Sequence, residues 1–233
     1  MTFEDPLFWT ALLKIIGVNI ILSGDNAVVI ALAARSLPPT QQKQAIFWGA
    51  GAAIVLRIIL TLFAVALLAL PWLKLIGSVL LLWIGVKLLV PEEEEPGVTA
   101  SDNMMIAIRT ILIADLVMSL DNVIGVAAAA GGSVVLLVAG LAISIPIVIF
   151  GATVLVKIMD RYPVIVIIGA GLIGFEAGEM AWEDAALTAW TSPYPAAMKY
   201  IPALICAIFV VAFGQWLARR AEETRKLPAE ERA

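Results

Sequence analysis

The chain of 233 residues is 62% hydrophobic and 15% charged, with a mean hydropathy of +1.00, values that exclude a soluble globule and require most of the chain to sit in lipid. It contains no histidine and one cysteine, Cys206, which excludes histidine-ligated zinc, Cys/His metal clusters, Ser-His-Asp triads and a disulfide framework. The net charge of −4 says little about partners, because in a membrane protein the placement of charge along the chain matters more; nucleic acid is not an expected partner.

A helix needs about 20 apolar residues to cross a hydrocarbon layer of roughly 30 Å. Runs of that kind occur in chain order at 7–34, 45–70, 72–90, 104–130, 134–157, 164–182 and 201–218. Stretches such as VLLLWIGVKLLV are apolar all round and lack the strict alternation of a membrane β-barrel. The expected fold class is therefore all-α, a polytopic membrane protein with seven transmembrane helices. Turn-forming clusters separate the runs: SLPPTQQKQ after Arg35, LPW at Leu70, PEEEEPGVTASDN at Pro91, GGS at Gly131, DRYP at Asp160 and TSPYP at Thr191. The N-terminal MTFEDPLFWT lacks the basic region and cleavage site of a secretory signal, so the first helix is expected to remain as an anchor.

Lys and Arg set the orientation. With the N-terminus outside, eleven of the fifteen fall at cytoplasmic ends, from Arg35 and Lys43 to the tail around Arg219 and Arg220. Only Lys74 and Lys199 fall in outer loops, while Lys14 and Arg57 lie within spans. This bias places the C-terminus in the cytoplasm of a bacterial cell. The expected organisation is a three-helix unit over 1–90, an acidic cytoplasmic linker over 91–102, a second three-helix unit over 103–182, and a seventh helix with a basic tail over 183–233. The run Glu92 to Glu95 reads most simply as a solvated loop.

The chain also resembles itself. At an offset of 96, Asn19, Ser23, Asp25 and Asn26 fall on Asp115, Ser119, Asp121 and Asn122, and the alanines that follow fall on alanines. At an offset of 92, Pro71 and Gly77 fall on Pro163 and Gly169. A unit of three helices is odd in number, so its second copy enters the membrane in the opposite sense, giving a 3+3 inverted-topology repeat plus one C-terminal helix. Secondary transporters often have this architecture, with binding sites near the midplane where the repeats meet.

Asp25 is ten residues from Arg35 and Asp121 twelve from Arg109, which places both about 15 to 18 Å deep at ~1.5 Å per residue. A central Asp costs about 2.5 to 3.5 kcal/mol to insert, so intramembrane carboxylates are functional candidates. Asn19, Ser23 and Asn26 recur at i, i+4 and i+7 and share one helix face, as do Asp115, Ser119 and Asn122. Two such stripes facing each other would line a wet cavity, and Gly24 would let the first helix bend. Carboxylate, amide and hydroxyl oxygens suit Mg²⁺, Ca²⁺ or Mn²⁺. Met118 could tilt the choice toward Mn²⁺, although a helical Met more often packs. Glu176 and Glu179 sit one turn apart in a glycine-rich segment, and Glu176, the deeper, is a candidate ligand, proton carrier or gate. Arg57 is expected to neutralise one of these acids, and Lys14 to snorkel outward.

The segments SGDNAVVIA at Ser23 and DLVMSLDNV at Asp115 resemble the paired signatures of TerC-family integral membrane proteins, in the subgroup similar to the Bacillus YjbE type. The resemblance runs from about Leu7 to Trp182 and implies Mn²⁺ efflux, or delivery of Mn²⁺ to exported metalloenzymes. Matching motif positions carries over Asp25, Asn26, Asp121 and Asn122 as site residues, with Asp115 from its place in the second signature. Together with Glu176 these are the expected metal ligands. Asn19 stands where the first copy could have held an acid, so the site is expected to be asymmetric.

The leading expectation is a secondary exporter of Mn²⁺ with protons as counter-ion, and no resident cofactor. One alternative is an accessory protein that delivers Mn²⁺ without transporting it. A further alternative is an aspartyl intramembrane protease, which would use two aspartates on different helices; the G-x-G-D segment of such enzymes is absent, and no enzyme is expected. Ca²⁺ and Mg²⁺ remain competing substrates, membrane lipid is the other partner, and the oligomeric state is left open. A G-x-x-x-x-G-K-[ST] motif is also absent, so energy would come from gradients.

Overall fold

The computed structural model describes residues 6–63, 67, 70–91, 100–130 and 133–226, without the side chains of some helical residues, Asp121 among them. The run Glu92 to Glu95 and the last residues of the basic tail lie outside that description. No strand occurs among the described residues. In chain order the helices are α1 (Pro6–Leu22), α2 (Gly24–Ala34), α3 (Pro39–Leu62), α4 (Leu73–Lys87), α5 (Ala100–Ala130), α6 (Val134–Arg161), α7 (Val164–Trp182), a short α8 (Thr188–Thr191) and α9 (Tyr200–Lys226).

The expected spans fall on helices where they are described, the first of them on two, α1 and α2, and the end of the second lies partly outside the described residues; the boundaries differ from expectation. Pro39 presets the helical φ at the first turn of α3 and the Gln and Lys residues after it favour helix, so α3 begins before its apolar run. α9 continues through the charged segment after Ala218 for the same reason. Among the described residues five helices, α3, α5, α6, α7 and α9, are long and apolar enough to cross a membrane, and α1 and α2, bent by 49° at the break between them, make a sixth when the pair counts as one span. The third expected span, over 72–90, is occupied by α4, which has 15 residues and reaches only about 22 Å at 1.5 Å per residue.

The packing follows membrane rules, in which close backbone approach replaces the hydrophobic drive. Side chains such as Phe150 and Ile208 are 71% and 67% exposed, an outer surface that only lipid tails can solvate. α5 runs through the middle against α1 to α4, and its Ile111, Ala114, Val117 and Met118 belong to the main buried cluster. Met118 thus lies within apolar packing. Glycines set the tightest crossings. A methyl built on Gly49 of α3 would lie 2.9 Å from Cδ1 of Ile111 on α5, and one on Gly140 of α6 would run into Ile15 on α1. Gly174 and Gly178 of α7 leave no room for a side chain against the backbone of α9, where a methyl on Gly178 would lie 2.5 Å from Cα of Ala203.

One loop acid ties an end of the bundle together. Asp184, fully buried just after α7, accepts from the backbone N–H groups of Trp72 (2.9 Å), Leu75 (2.9 Å) and Ala186 (2.7 Å). It thereby satisfies the first turn of α4, whose cap residue Trp72 is held in the left-handed region at φ 70°, an uncommon conformation for a side chain of this size. Burial alone would raise the Asp184 carboxyl, but the backbone donors together outweigh it and hold the group below its ordinary 3.8.

Two outcomes follow for stability. Asp184→Ala leaves several N–H groups unpaired and is expected to cost about 1 to 3 kcal/mol. Because the folded carboxyl titrates below its unfolded value, this contribution is present at neutral pH and is lost as pH falls through the lowered pKa. Melting curves of wild type and variant in detergent should therefore differ at pH 7 and converge in acid. Gly178→Ala forces α7 and α9 apart and is expected to cost about 1 to 3 kcal/mol, read as a lower midpoint of thermal aggregation.

Candidate functional site

The two sequence stripes meet at the bend between α1 and α2. Helical hydrogen bonding resumes from Ser23, whose carbonyl accepts from Ala27 N at 3.1 Å. Ser23 has φ −112° and ψ 8° and no side-chain cap bond, and Gly24 after it has open space around it. A break of this kind leaves carbonyls at the end of one segment without helical partners. Asn122 of α5 covers one of them, donating from Nδ2 to the carbonyl of Leu22 at 2.8 Å.

Arg57 of α3 reaches into the same place and is buried to 4% exposure. Its guanidinium donates to Ser119 Oγ at 3.0 Å, to Asn19 Oδ1 at 3.1 Å and to Ser23 Oγ at 2.9 Å, and it pairs with Asp115 Oδ1. Ser119 Oγ in turn donates to Asp115 Oδ2 at 3.2 Å, and Ser23 Oγ donates to Asn19 Oδ1 at 3.3 Å. Asn19 and Asp115, which correspond at the 96-residue offset, hold the guanidinium from two sides, as do Ser23 and Ser119. The stripes therefore enclose an arginine rather than open water. The expectation that Arg57 neutralises an acid is met, with Asp115 as the partner.

Asp25 and Asn26 stand on the first turn of α2, where the positive end of the helix dipole favours a carboxylate. Asp25 is half-buried, accepts from the N–H of Asn26 at 2.8 Å and lies within electrostatic reach of Arg57 and Asp115. The Asn26 side chain is 2% exposed, yet among the described residues neither its amide nitrogen nor its oxygen has a hydrogen-bond partner. It borders a cavity of about 10 Å³ shared with Asn19, Ser23, Arg57 and Asp115, close to the space of one water. A buried carboxamide without partners costs about 1 to 3 kcal/mol, a cost that a water or a bound ion in the cavity would relieve.

Among the expected ligands, the structure brings Asn26 and Asp115 to one cavity and sets Asn122 on the adjacent break. The side chain of Asp121 lies outside the described residues, although its backbone belongs to α5. Glu176 is half-buried on α7, seven residues and two turns from Gly169 on the same face. A methyl on Gly169 would meet Val28 and Leu32 of α2, so Glu176 lies on the side of α7 that faces α2. Glu179 instead pairs with Lys199 Nζ at 3.1 Å, near the pairs of Glu183 with Lys199 at 3.2 Å and with Lys74 at 3.5 Å. Among the described residues no three acidic or thiol side chains converge as a metal cluster; a cation here would need amide, hydroxyl and carbonyl oxygens as well. Sequence reading passed over Asp184, because an acid in a loop gives no sign of which distant N–H groups it meets.

The buried pair makes a direct prediction. Arg57→Ala or Asp115→Ala alone strands one charge and is expected to lose about 3 to 5 kcal/mol, whereas replacing both with apolar residues of similar volume is expected to restore most of it. A double-mutant cycle on thermal stability in detergent checks this, and additive losses would contradict it.

The Integral membrane protein TerC family is matched over residues 4–222. The membrane protein YjbE of Bacillus subtilis is 40% identical over 202 residues, covering 87% of this chain and 93% of that protein. YceF of the same bacterium is 27% identical over 187 residues, covering 76% and 72%. The inner membrane protein YgdQ of Escherichia coli K12 is 26% identical over 192 residues, covering 73% and 81%. No solved structure matches the chain. With its apolar helices, its bent span and both acidic signatures inside the matched region, the chain belongs to the TerC family of multi-pass integral membrane proteins.

Proposed function

We propose that the protein is a secondary transporter that exports divalent metal ions, Mn²⁺ above all, from a bacterial cytoplasm through an oxygen-ligand site at the bend of the first span. The observation that carries this reading is Asn26, a buried carboxamide with both polar atoms unpartnered among the described residues, next to Asp25 at a helix break. Discontinuous helices of this kind form ion sites in transporters because their freed backbone groups can join the ligand shell.

The donor chemistry supports a hard or borderline-hard ion. Asp25, Asn26, Asn122 and Asp121 would supply carboxylate and amide oxygens, with Asp115 and Glu176 as further acids of the pathway. The packing supports an inverted repeat. Ile15 corresponds to Ile111 at the 96-residue offset and Gly49 to Gly140 at an offset of 91, and the structure seats each isoleucine on the glycine of the other half. The pairing of α3 with α5 likewise has its counterpart in that of α6 with α1 and α2. Two halves joined in this way can rock about a site between them, giving alternating access without a soluble motor domain. Carboxylates sharing a confined site can take protons on the return step, which makes protons the proposed counter-ion. The positive-inside bias places the N-terminus outside and Arg35 and Lys87 at the cytoplasmic end.

The test is Mn²⁺ flux into proteoliposomes for wild type, Asp25→Asn, Asn26→Ala and Asp121→Asn, with Ca²⁺ and Mg²⁺ as competitors. The expected result is saturable flux that falls at least about tenfold in each variant, the equivalent of 1.4 kcal/mol or more. Folded wild-type protein that binds Mn²⁺ and moves none would favour delivery to a partner instead.

A further inference from the structure

We infer that Arg57 is a tethered cation, filling the oxygen site when no metal ion is bound and displaced when one enters. The inference rests on the transport reading above and adds to it a residue that competes with the substrate.

Three observations carry it. First, the guanidinium takes four oxygens, from Asn19, Ser23, Asp115 and Ser119. They are amide, hydroxyl and carboxylate oxygens, the donor classes that a hard divalent cation takes. They come from α1, the break after it and α5, which adjoin Asp25 and Asn26 at the start of α2 and include Asn122. Second, the space is too small for two cations. The unpartnered Asn26 shares a cavity of about 10 Å³ with the guanidinium, and like charges at such range repel strongly where water cannot screen them. An ion accepted by Asn26 therefore drives Arg57 off part of its oxygen set, or is excluded by it. Third, the cation comes from one half only. At the 91-residue offset that relates Gly49 to Gly140, Arg57 corresponds to Val148, and Val148 lines the same cavity. Asn19, Ser23 and Asp115 line the same cavity as Asn26, so an ion taken up by Asn26 and Asp25 would draw on oxygens that the guanidinium holds.

The consequence for transport is electrostatic. A site of several acids emptied of its ion would carry bare negative charge through the membrane on the return step. With Arg57 folded onto Asp115 the empty site is compensated and closed. Arginine suits the role better than lysine, because its planar fork reaches oxygens on two helices at once.

The test uses the full chain in lipid nanodiscs, with wild type, Arg57→Gln and Arg57→Lys. Mn²⁺ binding is measured by equilibrium titration, and the melting midpoint is read with and without Mn²⁺. Removing a competitor raises apparent affinity, so Arg57→Gln is expected to bind Mn²⁺ on the order of tenfold more tightly than wild type. Mn²⁺ should also raise its midpoint further than that of wild type, with Arg57→Lys in between. A purely structural arginine predicts the opposite, a lowered midpoint that Mn²⁺ does not restore and affinity equal to or below wild type; that result overturns the inference. If Arg57→Gln fails to fold, Arg57→Lys decides alone, tighter binding supporting displacement and equal or weaker binding overturning it. Wild-type flux measured in parallel separates the two claims. Absent flux and binding in wild type defeat the transport reading and this inference together, whereas intact flux without any gain in the Arg57 variants defeats this inference alone.

Discussion

A guanidinium buried within the lipid-embedded part of a protein must be compensated, and that requirement organises the centre of this molecule. Arg57 is satisfied only because α1, the bend after it and α5 each bring an oxygen to it. The bend is where it is partly because Ser23 must face Arg57 while Asn122 of α5 closes the carbonyl of Leu22. Losing the charge on either side would leave its partner in a medium that cannot solvate it. The polar stripes are thus an electrostatic joint between α1, α3 and α5, and beside it, among the described residues, neither polar atom of the Asn26 side chain has a partner.

Around this joint the chain uses small residues to gain contact. In lipid there is no hydrophobic gain from pushing helices together, so close packing and internal hydrogen bonds must hold them. Gly49 and Gly140 bring α5 and α1 near to the helices that support the site, while Gly174 and Gly178 seat α9 on α7. Asp184 works at one end of the bundle, where backbone donors at the start of α4 and in its own loop would otherwise lack acceptors. A carboxylate at that position turns the unpaired N–H groups of a helix start into a fixed junction between α4 and α7.

Much of this was legible in the chain. Long apolar runs made the helices unavoidable, and the spacing of Asn19, Ser23 and Asn26 and of Asp115, Ser119 and Asn122 placed each set on one face before any packing was known. The need of Arg57 for an acid was legible too, because its charge lay inside an apolar run. What the spacing could not say was that the stripes enclose Arg57 instead of water. Periodicity reports which residues share a face and is silent about which side chain of a third helix enters between two faces.

The sequence by itself determined the solvent, the helical class, the candidate ligands and the absence of histidine. These follow from composition and from the free energy of placing side chains in lipid, quantities that need no tertiary contact. Tertiary structure alone decided that Asp115 belongs to Arg57, that Asn122 belongs to the carbonyl of Leu22, that Glu179 belongs to Lys199, and that Asn26 has no partner among the described residues. It also decided that α4 is short, and it set at Ser23 the bend that Gly24 led one to expect in the first helix. The physical reason is common to all of these. Pairing depends on distances between atoms far apart in the chain, and those distances exist only once the helices have packed.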